Sequence, residues 1–251
     1  MSGVALISDI HGNGVALDAI LADARRSGVD GVICLGDIAA GGPQPREVTR
    51  RLRELGCRAV RGNGESWLLD GLPPGTSDET RRLGEIARWA REQLAAEDLD
   101  YLAALPATLT ASVGGVTLLC FHGSPRSDVE ALLATTGDDA LEEAFAGMPA
   151  AQVLAGGHTH QQLLRGFGDH VLVNPGSVGL PLGSLLEGER PLPAWAEYAL
   201  IAADAGSVEL AFRRVSVDAS AVAAATAAMP GWSWAANLER RIRRWNARAT
   251  R

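Results

Sequence analysis

Residues 6–13 read LISDIHGN, an apolar run that ends in a carboxylate and an imidazole two positions apart. Because alternate residues of an extended segment face the same side, Asp9 and His11 are expected to point toward one metal ion. A single Asp-x-His pair is a weak signal, since polar side chains are common where strands end. The pair therefore has to be judged by what the rest of the chain places around it.

The same arrangement recurs at five later points of the chain. Each is a short apolar run, typical of a buried strand, followed at once by Gly or a polar side chain. The runs end at Ile7, Leu35, Val60, Phe121, Ala155 and Val173. Ligands of open α/β sheets bind at the carboxyl ends of the strands, so the six ends are expected to share one site.

Helical periodicity separates these runs. It predicts a helix capped by Asn13 and ended by Gly28, and further helices at 46–55, 83–94 and 97–105. Thr76 and Glu79 have the spacing of a capping box for the third. A hairpin with its turn at 204–206 is predicted at 198–215, and terminal helices at 221–229 and 233–249. We expect one domain over residues 1–251, with a helical insertion at 67–106 and C-terminal helices at 221–249.

Composition narrows the class of protein. Of 251 residues 47% are hydrophobic, so a sizeable core is available. The 23 basic and 30 acidic residues give a formal net charge of −7, which argues against binding to a nucleic-acid backbone. Three cysteines without CxxC spacing favour a reducing compartment. No signal peptide and no apolar run of about 20 residues is recognised, so we expect a cytoplasmic protein without a membrane segment.

The strand ends collect seven candidate metal ligands, including four of the five histidines: Asp9, His11, Asp37, Asn63, His122, His158 and His160. The fifth, His170, begins a predicted strand and is assigned a structural role. Mixed Asp, Asn and His ligands suit first-row transition metals better than magnesium or calcium. Seven ligands exceed the needs of one ion with an open position. They suit two ions that share a carboxylate, an arrangement typical of displacement at phosphorus.

The motifs DxHGN, GD, GN, HG and GHTH, in this order, resemble the calcineurin-like metallophosphoesterase superfamily. Residues 8–21, 36–48 and 174–179 are similar to its small bacterial and archaeal phosphodiesterase branch. The resemblance covers roughly residues 4–215. It implies a four-layer sandwich, in which two facing β-sheets are flanked by helices.

The resemblance also implies roles for the candidate residues. Asp9, His11 and His160 would hold the first metal, Asn63, His122 and His158 the second, and Asp37 would bridge them. Asp37 and Asn63 are the residues we expect to be catalytic, and a hydroxide between the metals would attack phosphorus. We assign Asn13 and Gly64 to substrate binding. The expected cofactors are two divalent transition metals, with manganese preferred over iron, cobalt, nickel and zinc.

Two departures from the family pattern bear on the substrate. Most members have a histidine after the Asn, thought to protonate the leaving group or steady the phosphate, whereas this chain has Gly64 followed by Glu65. Glu65 is expected to be an exposed carboxylate that caps the next turn rather than the missing acid. The protein phosphatases also have an Arg soon after Gly-Asp, where this chain reads IAAGG. Both departures favour a small phosphodiester or nucleotide over a phosphoprotein or a general monoester.

The main expectation is therefore a metal-dependent phosphodiesterase. A dinucleoside polyphosphate hydrolase and a non-catalytic binding scaffold remain as alternatives, although all seven ligand positions are filled. A dinucleotide-binding Rossmann protein is disfavoured, because no GxGxxG follows a strand. A homo-oligomer is compatible with the sequence. Residues 67–106 and 181–195 follow two of the strand ends, and we expect them to form the rim that selects the substrate.

Overall fold

The computed structural model describes residues 2–73, 75, 77–181, 194–204, 207–227 and 229. Within these residues the strands are Ser2–Ile7 (β1), Gly31–Cys34 (β2), Arg58–Ala59 (β3), Leu109–Val113 (β4), Val116–Cys120 (β5), Val153–Ala155 (β6), Gln162–Phe167 (β7), His170–Pro175 (β8), Trp195–Asp204 (β9) and Ser207–Ser216 (β10). The helices are Gly14–Arg26 (α1), Pro45–Glu54 (α2), Asn63–Asp70 (α3), Asp78–Gln93 (α4), Ala96–Ala103 (α5), Asp138–Phe145 (α6) and Ala219–Thr226 (α7).

The strands form two five-stranded sheets. The first has the order β10-β9-β1-β2-β3, and the second has the order β4-β5-β6-β8-β7. In the first sheet β1, β2 and β3 are parallel, and in the second β5, β6 and β8 are parallel. The remaining pairs are antiparallel. Each sheet therefore contributes three parallel strands, whose six carboxyl ends are those that the sequence pattern singled out.

Apolar side chains pack between the sheets and on both outer faces. Leu6 and Ile33 of the first sheet join Leu118 and Val153 of the second in one buried cluster. Helices α1, α2 and α5 cover the outer face of the first sheet, and α6 covers that of the second. Each fully buried Leu or Ile contributes about 1.5–3 kcal/mol through the apolar surface it removes from water. The predicted four-layer sandwich of two facing sheets flanked by helices is confirmed.

Helix α1 forms as its sequence predicts. The five apolar residues at helical spacing between Ala16 and Ala24 are buried against the first sheet. The Asn13 side chain accepts a hydrogen bond from the Ala16 amide at 3.0 Å, which satisfies one of the free N–H groups of the first turn. This helix directly follows the LISDIHGN stretch, so its packing fixes the position of the first ligand-bearing turn.

Several elements differ from the sequence prediction. Strands β4 and β7 and helices α3 and α6 were not predicted, because each is short or lacks a clear period. Thr76, the predicted cap of α4, lies outside the described residues. The Ser77 hydroxyl accepts from the Thr80 amide at 3.0 Å, and the helix begins at Asp78 rather than at residue 83. The hairpin is longer than predicted and runs over β9 and β10.

Three other predictions lie partly or wholly outside the described residues. They are the turn residues 205–206, most of the proposed rim segment 181–195, and the terminal helix 233–249. Among the helices that are described, none combines the length and the hydropathy that crossing a bilayer requires.

Candidate metal centre

The candidate ligands lie in turns just beyond the parallel strands. Three parallel strands of each sheet aim these turns at one region between the sheets. Asp9 and His11 follow β1, Asp37 follows β2, Asn63 begins α3 after β3, His122 follows β5, and His158 and His160 follow β6. The structure thus brings together all seven residues from the two sheets.

The backbone of these turns is unusual. Among the described residues, the non-glycine positions with a positive φ are Asp9 (55°), His11 (48°), Asp37 (54°), His158 (68°) and His160 (56°). Side chains other than glycine rarely adopt this region, and each such residue costs on the order of 1 kcal/mol or more. Asp9 and His11 do point toward one site, as expected, but the expectation that they lie in an extended strand was wrong. Strand β1 ends at Ile7, and a left-handed turn directs both side chains inward.

Asp9, His11 and His160 form the first ligand group, and all three are buried. The Nε2 atoms of His11 and His160 are 3.0 Å apart, and Asp9 Oδ1 is 3.3 Å from His160 Nε2. The opposite nitrogens, Nδ1, lie 2.7 Å from the Ala40 carbonyl oxygen and 3.1 Å from that of Leu180. These carbonyl contacts orient both rings so that Nε2 points into the group.

Asp37 lies between this group and the second one. Its Oδ2 is 3.7 Å from His11 Nε2, and its Oδ1 is 3.5 Å from His122 Nε2. The Gly64 amide donates a hydrogen bond to the same Oδ1 at 2.6 Å. The two oxygens of one carboxylate thus face histidines from the two sheets.

Asn63, His122 and His158 form the second ligand group. The Nδ1 atom of His122 is 2.7 Å from the Leu35 carbonyl oxygen, and its Nε2 is 3.0 Å from Asn63 Oδ1. With its oxygen and nitrogen exchanged, the Asn63 amide would donate to His158 Nδ1 at 2.9 Å. The hydrogen-bond pattern alone fits this exchanged orientation, whereas a cation bound among these atoms would favour the first one, because the amide oxygen is the ligand atom of asparagine.

The charges of the two groups influence one another. Burial by itself raises the pKa of Asp9, but the imidazoles of His160, His122 and His11 outweigh it and the net shift is downward. Burial lowers the pKa of His11, and that of His158 as well. For His122 burial acts in the same direction, yet the carboxylates of Asp37 and Asp9 prevail and raise its pKa. Ionised carboxylates and neutral imidazoles are the forms that bind metals.

The donor set fits divalent cations. Asp9 Oδ1 is buried and lacks a hydrogen-bond partner of ordinary geometry, although the Nε2 atoms of His160, His11 and His122 lie 3.3, 3.9 and 4.0 Å away. An unsatisfied buried carboxylate oxygen is costly unless a cation neutralises it. Mixed carboxylate, amide and imidazole donors suit first-row transition metals.

The end of β8 and the segment after it support two ligand turns, although they supply no predicted ligand. The Ser177 hydroxyl donates to the Asp9 carbonyl oxygen at 2.8 Å, and Asn174 Nδ2 donates to the Gly157 carbonyl oxygen at 2.6 Å. A side chain at Gly157 would place its Cβ 2.0 Å from Ser8 Oγ, so only glycine fits there. The sequence signal for this role was the apolar run ending at Val173, the sixth of its kind.

Glu65 contradicts its prediction. It was expected to be exposed, yet its exposed fraction is 0%. Its carboxylate accepts hydrogen bonds from two backbone amides, that of Asp37 in the turn after β2 and that of Gly62, three residues earlier. Burial raises its pKa to about 7, and the charge of Asp37 acts in the same direction. The capping part of the prediction holds, but a local pattern cannot show how deeply the first turn of α3 is buried.

The remaining candidate residues differ in what they contact. Asn13 caps α1, and Gly64 donates to Asp37, so their substrate roles stay predictions. His170 begins β8 with Nδ1 2.6 Å from the Ala151 carbonyl oxygen, away from the ligand groups, in agreement with a structural role. Cys34 and Cys120 are buried, Cys57 is partly buried, and none of the three forms a disulfide.

Several known proteins are similar to this chain in sequence or in fold. The uncharacterized protein MJ0912 of Methanocaldococcus jannaschii is 29% identical over 198 residues, which are 72% of this chain and 77% of that protein. A metallophosphoesterase from Sphaerobacter thermophilus superposes with a TM-score of 0.70 and is 27% identical, over 96% of this chain and 99% of its own. Protein PH1004 from Pyrococcus horikoshii has the same fold, with a TM-score of 0.76, 22% identity, and coverage of 95% and 98%. The sequence model of the calcineurin-like phosphoesterase superfamily domain matches residues 3–188. The chain therefore belongs to the calcineurin-like phosphoesterase superfamily.

Proposed function

We propose that this protein is a dinuclear, metal-dependent phosphodiesterase. The position of the Asp37 carboxylate carries the proposal, because its two oxygens face His11 and His122, one from each ligand group, at 3.7 and 3.5 Å. A carboxylate shared between two ions is what a paired site requires. Membership in the phosphoesterase superfamily supports the reaction class.

Each ligand group has its own role in the proposal. Asp9, His11 and His160 hold one ion, and Asn63, His122 and His158 hold the other. Asp37 is shared by both. We propose manganese as the native metal, with iron, cobalt, nickel and zinc as the other ions that this donor set accepts. Two such cations supply a nucleophile at neutral pH and neutralise charge on the phosphoryl oxygens.

Among the described residues, positions 64 and 65 provide little help to a leaving group. Position 64 is a glycine, and both oxygens of the neighbouring Glu65 accept hydrogen bonds from backbone amides. A leaving group that departs without a proton must itself be a good one. This favours activated or stabilised leaving groups, as in small phosphodiesters, nucleotides and phosphoanhydrides, over alkyl monoesters.

Metal analysis combined with a chromogenic assay tests the proposal. Protein loaded with Mn²⁺ should hold two ions per chain and hydrolyse bis(p-nitrophenyl) phosphate faster than p-nitrophenyl phosphate. Asp37→Asn keeps the shape and tolerates the left-handed backbone, but it should lose at least about 100-fold in turnover, together with one or both metals.

The other outcomes of this assay separate the rival functions. Faster hydrolysis of a diadenosine polyphosphate than of any diester would reassign the protein to phosphoanhydride cleavage. Two bound metals without turnover on any of these substrates would indicate a binding scaffold. A wild-type protein that binds fewer than two metals would contradict the dinuclear centre itself.

A further inference from the structure

The Glu65 carboxylate accepts four backbone hydrogen bonds. Its Oε1 accepts from the amides of Ile38 at 2.8 Å and Ala39 at 3.1 Å. Its Oε2 accepts from the amides of Asp37 at 2.9 Å and Gly62 at 3.2 Å. A carboxylate offers about four acceptor positions. Glu65 therefore has none left for substrate or water, and it is unsuited to the role of a proton donor.

These four amides belong to two different ligand-bearing turns. Three of them are consecutive in the turn after β2, which contains Asp37. The fourth, that of Gly62, directly precedes Asn63 at the start of α3. The turn after β2 is also tied to the turn after β1, because the His11 amide donates to the Asp37 carbonyl oxygen at 2.9 Å. Glu65 is thus a single side chain that connects the shared carboxylate to a ligand of the second group.

Its burial makes this connection rigid. With an exposed fraction of 0%, the carboxylate does not exchange these amides for water. Removal of this acceptor would leave four buried N–H donors unsatisfied, which is costly. No other described carboxylate accepts from the turn after β2.

We propose that Glu65 is a positioning residue of the metal centre, which holds the Asp37 turn at the distance from Asn63 that lets Asp37 serve both ligand groups. This inference rests on the proposed dinuclear function and assigns it a residue outside the ligand set. Glu65 acts through the backbone of Asp37 and Asn63 and contacts neither metal nor substrate.

Glu65→Gln tests the inference, because the amide keeps the size of the side chain but turns an acceptor oxygen into a donor that faces backbone N–H groups. The matched control is Asp98→Asn. Asp98 is also buried, and it also accepts from the amide that precedes its own helix, Ala95 N at 3.1 Å, but it lies on α5 away from the ligand turns. The pair separates loss of a helix cap from loss of ligand geometry.

The readouts are Mn²⁺ affinity by calorimetry and the exchange-coupled signal of a Mn²⁺ pair in electron paramagnetic resonance. Glu65→Gln should weaken at least one Mn²⁺ by about 10- to 100-fold and lose the coupled signal. Asp98→Asn should keep both affinities and the signal, although the metal-free melting temperature falls. Wild-type affinity and coupling in Glu65→Gln would overturn the inference and leave the proposed function intact.

A second variant covers a failure of Glu65→Gln to fold. Glu65→Asp keeps the charge but shortens the side chain by one methylene, so it cannot reach all four amides. It should weaken Mn²⁺ by about 10-fold, and unchanged binding in this variant would overturn the inference. Wild-type protein without a coupled pair would overturn the dinuclear function, and the inference that rests on it, at the same time.

Discussion

At the amino ends of the strands, the turns that enter β2, β3, β6 and β8 place Gly28, Gly56, Gly147 and Gly168 in the left-handed region. At the carboxyl ends of β1, β2 and β6, the turns place aspartate and histidine there as well, beside left-handed glycines such as Gly12 and Gly36. A Cβ added to any of those four glycines would meet nothing within 4 Å, so backbone conformation alone calls for glycine. The ligand turns accept the same conformation in residues that disfavour it. The difference indicates that these side chains are kept for chemistry, at a cost in stability.

The largest expected effect comes from making a ligand turn resemble an amino-end turn. His158→Gly removes a ligand from a left-handed position, so activity should fall by at least about 100-fold. The metal-free protein should gain about 1 kcal/mol in free energy of unfolding, because glycine relieves the strain. Diester turnover and chemical denaturation without metal measure the two effects.

His170→Gly is the matched control, since His170 occupies an extended strand rather than a left-handed turn. It should lose stability and keep most of its activity. A large stability loss in metal-free His158→Gly would show that the imidazole itself stabilises the fold, and the comparison between the two sets of turns would fail.

Metal binding should offset the strain of the ligand turns by raising the free energy of unfolding. At 100 times its dissociation constant, an ion that binds the folded chain alone adds about 2.7 kcal/mol. For a protein of this size that corresponds to a rise of about 5–10 °C in melting temperature. Scanning calorimetry with Mn²⁺ and with a chelator should show this rise for the wild type. An equal rise in Asp37→Asn would mean that the ion binds elsewhere.

Acid should weaken metal binding through His122. The carboxylates of Asp37 and Asp9 raise the pKa of His122 above its usual 6.5, and its protonated form cannot bind a cation. Binding is therefore at full strength above that pKa and declines by about 10-fold per pH unit below it. The pKa values of His11 and His158 are lowered, so these residues take up a proton at lower pH than His122 does. A Mn²⁺ affinity that stays constant from about pH 8 to pH 5 would contradict this assignment.

The smallest expected effect concerns an amino-end turn. Gly56→Ala forces a Cβ into the left-handed region, where φ is 58°, and should cost about 1 kcal/mol of stability without a change in activity. Gly84→Ala is the matched control, because it lies in α4 with open space around its Cβ and should stabilise the helix by about 1 kcal/mol. Chemical denaturation of both variants measures the effect. Equal stability changes would remove the distinction between the turns.

The convergence of the seven candidate ligands could be predicted because each lies in a turn that follows an apolar strand, and parallel strands bring their carboxyl ends together. The left-handed backbone of Asp9 and His11 could not, since a local pattern does not show where β1 ends. The burial of Glu65 likewise depends on the turn after β2, which is 26–28 residues away in sequence. Strand β7 escaped prediction because its residues alternate between partly buried and exposed, without a clear apolar face.

Because each sheet supplies part of the candidate metal centre, the centre cannot form until residues of both sheets have been synthesised. In the first ligand group, 149 residues separate His11 from His160. At a synthesis rate of about 5–20 residues per second, His160 leaves the ribosome about 7–30 s after His11. During that interval the first sheet has at most β1, β2 and β3, because β9 and β10 follow His160 in the chain, and the first ligand group is incomplete. A metal ion held by this group could therefore bind only late in synthesis, and its presence would mark a molecule whose two sheets have already docked.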